Sequence, residues 1–132
     1  MAKRKVFISY DYDNDHNYKN MLVAWDRNQD FDFGFSDQSA GVSIDSTDAV
    51  AIKRAISARI YDATCFLCLV GKRTYMSKWV AREIGKAVEL TKKIVAVKID
   101  STNTTPSGLL HVGAKWAMSF SFDSIKKAIE SA

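Results

Sequence analysis

The fold is decided by TCFLCLV at residues 64–70, followed by GKRTYMS at 71–77 and KWVAREIGKAVELT at 78–91. The first run is apolar almost without a break, which suits a short strand covered on both faces. The second is a polar turn that ends in Ser77, a residue type that caps helices. The third sets Val80, Ile84, Ala87 and Val88 at i, i+4, i+7 and i+8, the spacing of one buried helical face. Strand, turn and amphipathic helix make a unit that needs a parallel neighbour.

Outward from that unit the alternation repeats. Strands are expected at residues 5–9, 31–35, 94–99 and 116–120, and helices at 15–27, 47–61 and 123–131. Strand following helix along the chain implies an α/β fold, a parallel sheet with helices on both faces. Ligands of such sheets bind beyond the carboxyl ends of the strands. Those ends lead into residues 9–15, 36–46, 71–77 and 100–113, loops rich in Asp, Ser, Asn, Thr and Gly.

The 132 residues are 47% hydrophobic and 26% charged, with only 6 Gly and 1 Pro, so a compact single domain over 1–132 is expected rather than a disordered or fibrous chain. No run approaches the roughly 18 apolar residues of a membrane span, and no apolar stretch of the roughly 7–15 residues of a leader's h-region follows the basic start Lys3, Arg4, Lys5. No membrane partner and a cytoplasmic location are expected. Cys65 and Cys68 stand three apart in the expected strand, on opposite faces, and read as buried small hydrophobes rather than a redox or metal pair.

The net charge of +4 is uneven: residues 1–45 carry 5 Lys and Arg against 8 Asp, and residues 46–132 carry 14 against 7 acids. The cations are scattered singly or in pairs, without the interleaved aromatics of a nucleic-acid surface, so nucleic acid is not expected as a partner. A modest basic face suits an anionic small molecule equally well.

The loops exclude several chemistries. Asp11, Asp13 and Asp15 would repel a phosphate after the first strand, and neither GxGxxG nor GxxxxGK[ST] occurs. Asp11, Asp13 and Lys98 imitate parts of a phosphorelay receiver, but the third strand runs into Gly71 and Lys72, with no carboxylate to phosphorylate. The plain alternative has Asp15 or Asn14 capping the first helix, with the other acids solvated. His16 and His111 lack a paired nucleophile or ligand cluster, and no metal site is expected.

Trp79 and Glu83 stand four apart on one side of the third helix and are expected to flank its core stripe at the carboxyl edge. An indole beside a carboxylate in a cleft restricts its hydration and can hold it against a ligand. The plain alternative pairs Glu83 with Lys86 on a wet face and makes Trp79 a helix-start anchor. Ser46 has the same two readings, a hydroxyl near helix-terminal amides or a simple cap.

The first strand and its turn, Val6, Phe7, Ile8, Ser9, Tyr10, Asp11, together with Trp79, Val80, Ala81, Arg82, Glu83, resemble the Toll/interleukin-1 receptor-like (TIR-like) family. In that family an apolar strand ends in Ile-Ser-Tyr or similar before acids, and a Trp precedes a Glu by four at a helix start. The family's usual Cys after the Trp is Val80 here, a departure that bears on packing. The likeness covers essentially the whole chain and is greatest to small stand-alone bacterial and archaeal TIR-like proteins, among them the TIR component of the Thoeris antiphage system.

The resemblance implies a flavodoxin-like three-layer sandwich with a five-stranded sheet of order 2-1-3-4-5. For enzymatic members it implies cleavage of NAD⁺ at the nicotinamide bond, with the ADP-ribose half released or made into a cyclic or conjugated signal for a separate effector. Glu83 stands at the catalytic position, Tyr10 and Asp11 in the loop that lines the cleft, Trp79 at its apolar wall, and Ser46 is a candidate for the pyrophosphate. NAD⁺ is a substrate, and no cofactor is expected. Residues 37–45, with Gly41, match the loop through which such domains self-associate or assemble with other TIR-like subunits, and residues 100–113 are a candidate for acceptor choice. Two other readings remain: a non-catalytic TIR-like interaction module, and a sheet-edge binder of another nucleotide.

Overall fold

The structure, a computed structural model, describes residues 4–25, 31–35 and 43–132. Its elements are β1 (Arg4–Ser9), α1 (Tyr12–Trp25), β2 (Phe31–Phe35), α2 (Ala49–Asp62), β3 (Cys65–Val70), α3 (Lys78–Glu89), β4 (Lys93–Lys98), β5 (Lys115–Ala117) and α4 (Phe122–Ser131). The five strands lie in the order β2-β1-β3-β4-β5, and every neighbouring pair is parallel. β3 sits at the centre, which is why its residues are buried from end to end.

The alternation of side chains along each strand sorts the core into two layers. Val6, Ile8, Cys65, Leu67, Leu69, Val95 and Val97 pack with Leu22 of α1 and with Ile125, Ala128 and Ile129 of α4. Phe7, Phe66, Cys68, Val70, Ile94 and Ala96 pack with Ile56 and Ile60 of α2 and with Val80, Ile84 and Ala87 of α3. Cys65 and Cys68 therefore face opposite layers as buried thiols that are not joined in a disulfide.

Several boundaries differ from the sequence reading. α1 begins at Tyr12, and the carbonyl of Asp11 accepts the first amides, from Asn14 at 3.3 Å and Asp15 at 2.8 Å. Asp15 is thus neither a cap nor solvated; it lies a turn inside the helix and is buried. β5 stops at Ala117, three residues before the expected end, where its pairing with Val97 comes within one residue of the end of β4, and Ser121 then caps α4 by accepting from the Ser124 amide. Val88 is 41% exposed. The buried stripe of α3 is instead Val80, Glu83, Ile84 and Ala87, an i, i+3, i+4, i+7 face that takes in the carboxylate. Residues 37–42 of the expected self-association loop lie outside the described residues, as do Asp26 and Arg27 at the end of the first expected helix.

Candidate active site

The register sets Ser9, the last residue of β1, beside Cys68 of β3. Ser9 follows Phe7 by two, so its side chain faces the layer covered by α3. There its Oγ donates a 2.6 Å hydrogen bond to Oε1 of Glu83. Both residues are buried, Ser9 to 1% exposure and Glu83 to 5%.

α3 holds the carboxylate because its start is fixed. Ser77 accepts from the Val80 amide at 3.2 Å, which satisfies one orphan amide of the first turn, and its carbonyl accepts the first helical bond, from Ala81 at 3.0 Å. Trp79 is half-buried against the α3 layer of the core. One turn later Glu83 enters the stripe that faces the sheet. Burial pushes its carboxyl up to about 7, against the Ser9 hydrogen bond and the Arg82 charge, which hold it down. Arg82 itself leans onto α2, with Nη2 at 3.4 Å from Ser57 Oγ. The wet Glu83–Lys86 pair does not form: Lys86 reaches Glu89 at 3.5 Å.

Tyr10 departs from the expected cleft. It follows Ser9 by one and so turns to the opposite layer, 8% exposed among Val6, Ile8 and Leu22. Asp11 stands at the turn, its Oδ2 accepting from Asn14 Nδ2 at 2.6 Å. Ser46 is not the cap of α2, which begins at Ala49 after Asp48. Its Oγ is buried without a hydrogen-bond partner among the described residues. The neighbouring Asp45 reaches Lys78 at the head of α3, 3.8 Å away, so the turn before α2 lies along the same edge.

Two further features were not singled out as site residues from sequence. Ser9 is the direct partner of Glu83, and the two-residue period from Phe7 was the signal that could have found it. Lys98 is 9% exposed at the end of β4. Its Nζ donates to the Asn103 carbonyl and lies 5.9 Å from the centroid of the Trp116 ring, while Asn103 Nδ2 donates to the Val70 carbonyl at 2.9 Å. The loop after β4 then packs Gly108 against Ile84 of α3, where a Cβ would meet Ile84 Cγ2 at 3.0 Å. His16 and His111 are both exposed.

A carboxylate buried at the carboxyl edge of a parallel sheet, with one oxygen held and an indole four residues before it, is an arrangement suited to a cationic centre on a ligand. Comparison with known proteins shows the family of the chain. The family model for the Thoeris protein ThsB, TIR-like domain, matches residues 7–104, a span that holds Ser9, Ser46, Trp79 and Glu83. The chain belongs to this TIR-like family.

The TIR-like domain is 30% identical over 105 residues to a Bacillus cereus (strain MSX-D12) protein named "Putative cyclic ADP-D-ribose synthase ThsB1". That match covers 76% of this chain and 54% of the relative, so the chain spans about half the length of the curated relative it matches. Among solved structures, a conserved protein from Enterococcus faecalis V583 superposes with a TM-score of 0.58 at 20% identity, over 73% of this chain and 64% of that one. A 3-dehydroquinate dehydratase-like protein from Bifidobacterium longum gives a TM-score of 0.51 at 15% identity, over 99% and 94% of the two chains. These two share the fold with the TIR-like domain. No helix among its described residues is long and apolar enough to cross a membrane.

Proposed function

We propose that this TIR-like domain cleaves NAD⁺ at the bond between nicotinamide and ribose and turns the ADP-ribose half into a signal, cyclic by preference, in antiphage defence. The observation that carries the reading is the buried Glu83, fixed by Ser9 at 2.6 Å, with Trp79 one turn before it. The name of the Bacillus cereus relative supports the cyclic product.

The reaction asks little of the protein's acids. Ordinary glycosidases need a second carboxyl group to protonate the departing oxygen. The pyridinium of NAD⁺ takes the bonding electrons as the C–N bond breaks and departs neutral. Positive charge then develops on the ribose, and ionised Glu83 stabilises it through Oε2 while Ser9 keeps Oε1 in place. An acceptor hydroxyl, from water or from the same nucleotide, forms the new C–O bond and gives up its proton to Glu83 or solvent. The step draws on the charge already in the substrate and on these side chains, and needs no cofactor.

A carboxyl poised at about 7 is half ionised at neutral pH, and the cationic substrate would favour the ionised form further. Trp79 would supply an apolar wall against a ring. Ser46, whose buried hydroxyl in the turn before α2 has no partner among the described residues, is the side chain offered to the pyrophosphate. Assembly with other TIR-like subunits and a separate effector that senses the product complete the reading. The test is incubation of concentrated protein with NAD⁺ and chromatography of the products. Nicotinamide with a cyclic or linear ADP-ribose product is expected; intact NAD⁺ from a chain that assembles with a TIR-like partner would favour an interaction module instead.

A further inference from the structure

On the other side of the sheet edge lies a buried polar cluster that the reaction above does not use. Asp15 is 5% exposed, and Thr74 Oγ1 stands 3.4 Å from its Oδ2. The same hydroxyl accepts from the Gly71 amide at 2.8 Å and lies 3.2 Å from the Leu69 carbonyl oxygen. The carboxyl group rests directly on Gly71, where a Cβ would stand 2.1 Å from Oδ2 and 2.6 Å from Cγ. Position 71 thus excludes a side chain because of Asp15, and not because of its φ, which lies outside the left-handed region.

From Thr74 the bonds run on into α3. The Ser77 amide donates to the Thr74 carbonyl at 3.0 Å, and the Ser77 carbonyl accepts from Ala81 at 3.0 Å, while Ser77 Oγ accepts from Val80 at 3.2 Å. One path of hydrogen bonds therefore leads from α1 through residues 71–77 to the helical turn that carries Trp79 and Glu83.

We propose that Asp15 is a positioning residue: seated on Gly71 and joined to Thr74, it clamps the β3–α3 turn to α1 and so holds Glu83 at the height where Ser9 meets it. This inference rests on the reading of Glu83 as the catalytic carboxylate. The clamp survives either protonation state. Ionised Asp15 accepts the Thr74 hydroxyl proton; protonated Asp15 donates to Thr74 Oγ1, and that hydroxyl turns to the Leu69 carbonyl. Its ionisable neighbours are Asp11 in the preceding turn and Cys68 on β3, with Lys19 a turn along α1, over the Tyr10 ring at 5.8 Å. An Asn at 15 keeps the shape and can donate as the protonated acid does, whereas Ala removes the clamp.

The test compares the full chain with Asp15→Ala, Asp15→Asn, Gly71→Ala and the double variant Asp15→Ala/Gly71→Ala, by amide hydrogen exchange over residues 71–83 and by nicotinamide release from NAD⁺. In Asp15→Ala these amides should exchange about tenfold faster, and kcat should fall about tenfold with KM nearly unchanged; Asp15→Asn should restore both. Gly71→Ala should loosen the turn, and the double variant should loosen it less, because the clash is gone. Unchanged exchange in Asp15→Ala, or additive effects of the two substitutions, would overturn the clamp. Faster exchange with an unaltered kcat would overturn its role in holding Glu83. Exchange and additivity need no turnover, so an inactive wild type would count against the proposed reaction while these readouts still decide the clamp.

Discussion

The hydroxyl of Ser9 and the carboxylate of Glu83 meet at 2.6 Å across 74 residues of sequence, joining the end of β1 to the face of α3 that packs on the sheet. The contact is buried, so its effect is on the state of the carboxylate as much as on the fold. Ser9 is the first-strand residue whose removal should be felt in the chemistry. Ser9→Ala deletes the bond that holds the Glu83 pKa down, so the acid limb of kcat/KM should move upward from about 7. A hydrogen bond to a charged group contributes about 1.5–3 kcal/mol, which corresponds to a shift of about one to two pH units. The pH–rate profiles of the two proteins check it.

Glu83→Gln should make the protein more stable at high pH. The folded-state carboxyl is raised from 4.5 to about 7, so the stability linked to its proton is fully present below about pH 4.5 and is lost as pH rises through about 7. Ionised Glu83 costs about 3 kcal/mol by that shift, and the amide avoids it. Tm of the variant should exceed wild type by roughly 10 °C at pH 8 and converge with it near pH 4. Asp15, raised from 3.8 to about 6 mainly by burial, adds a slope of the same sign in wild type.

Ser77→Ala and Gly85→Ala should move stability in opposite directions. Ser77→Ala removes the cap of α3 and should cost about 1 kcal/mol. Gly85 is exposed in the same helix, with nothing within 4 Å of a built Cβ, and its replacement should stabilise by about 0.5–1 kcal/mol. Urea unfolding reads both, and Gly85→Ala should leave any turnover unchanged.

The two cysteines should stay reduced and silent in the native protein. Cys65 is 3% exposed and Cys68 fully buried, and burial, with Glu83 and Asp15 nearby, pushes the Cys68 thiol up. A thiol reagent should label neither in native buffer and both in denaturant.

The order of strands and helices was legible because each element carries its own period: the unbroken apolar run of β3 and the stripe of α3 are local signals. What was not legible is how two periods meet. Glu83 read as a flanking residue because a carboxylate on a buried stripe contradicts the hydrophobic pattern; only its partner on β1 explains it there. Tyr10 read as a cleft residue because it follows Ser9 in the motif, yet one step along a strand reverses the face. Asp15 read as a cap because burial of an acid needs the space left by Gly71, which no local pattern reveals.

The most direct test of the account is the rate of nicotinamide release from NAD⁺ by wild type and by Glu83→Gln, at high protein concentration and with the fold of both checked by circular dichroism. The account predicts release by wild type and a loss of at least about a hundredfold in the variant, a scale expected when a charge that stabilises the transition state is removed. Release that persists in a folded Glu83→Gln protein would contradict it.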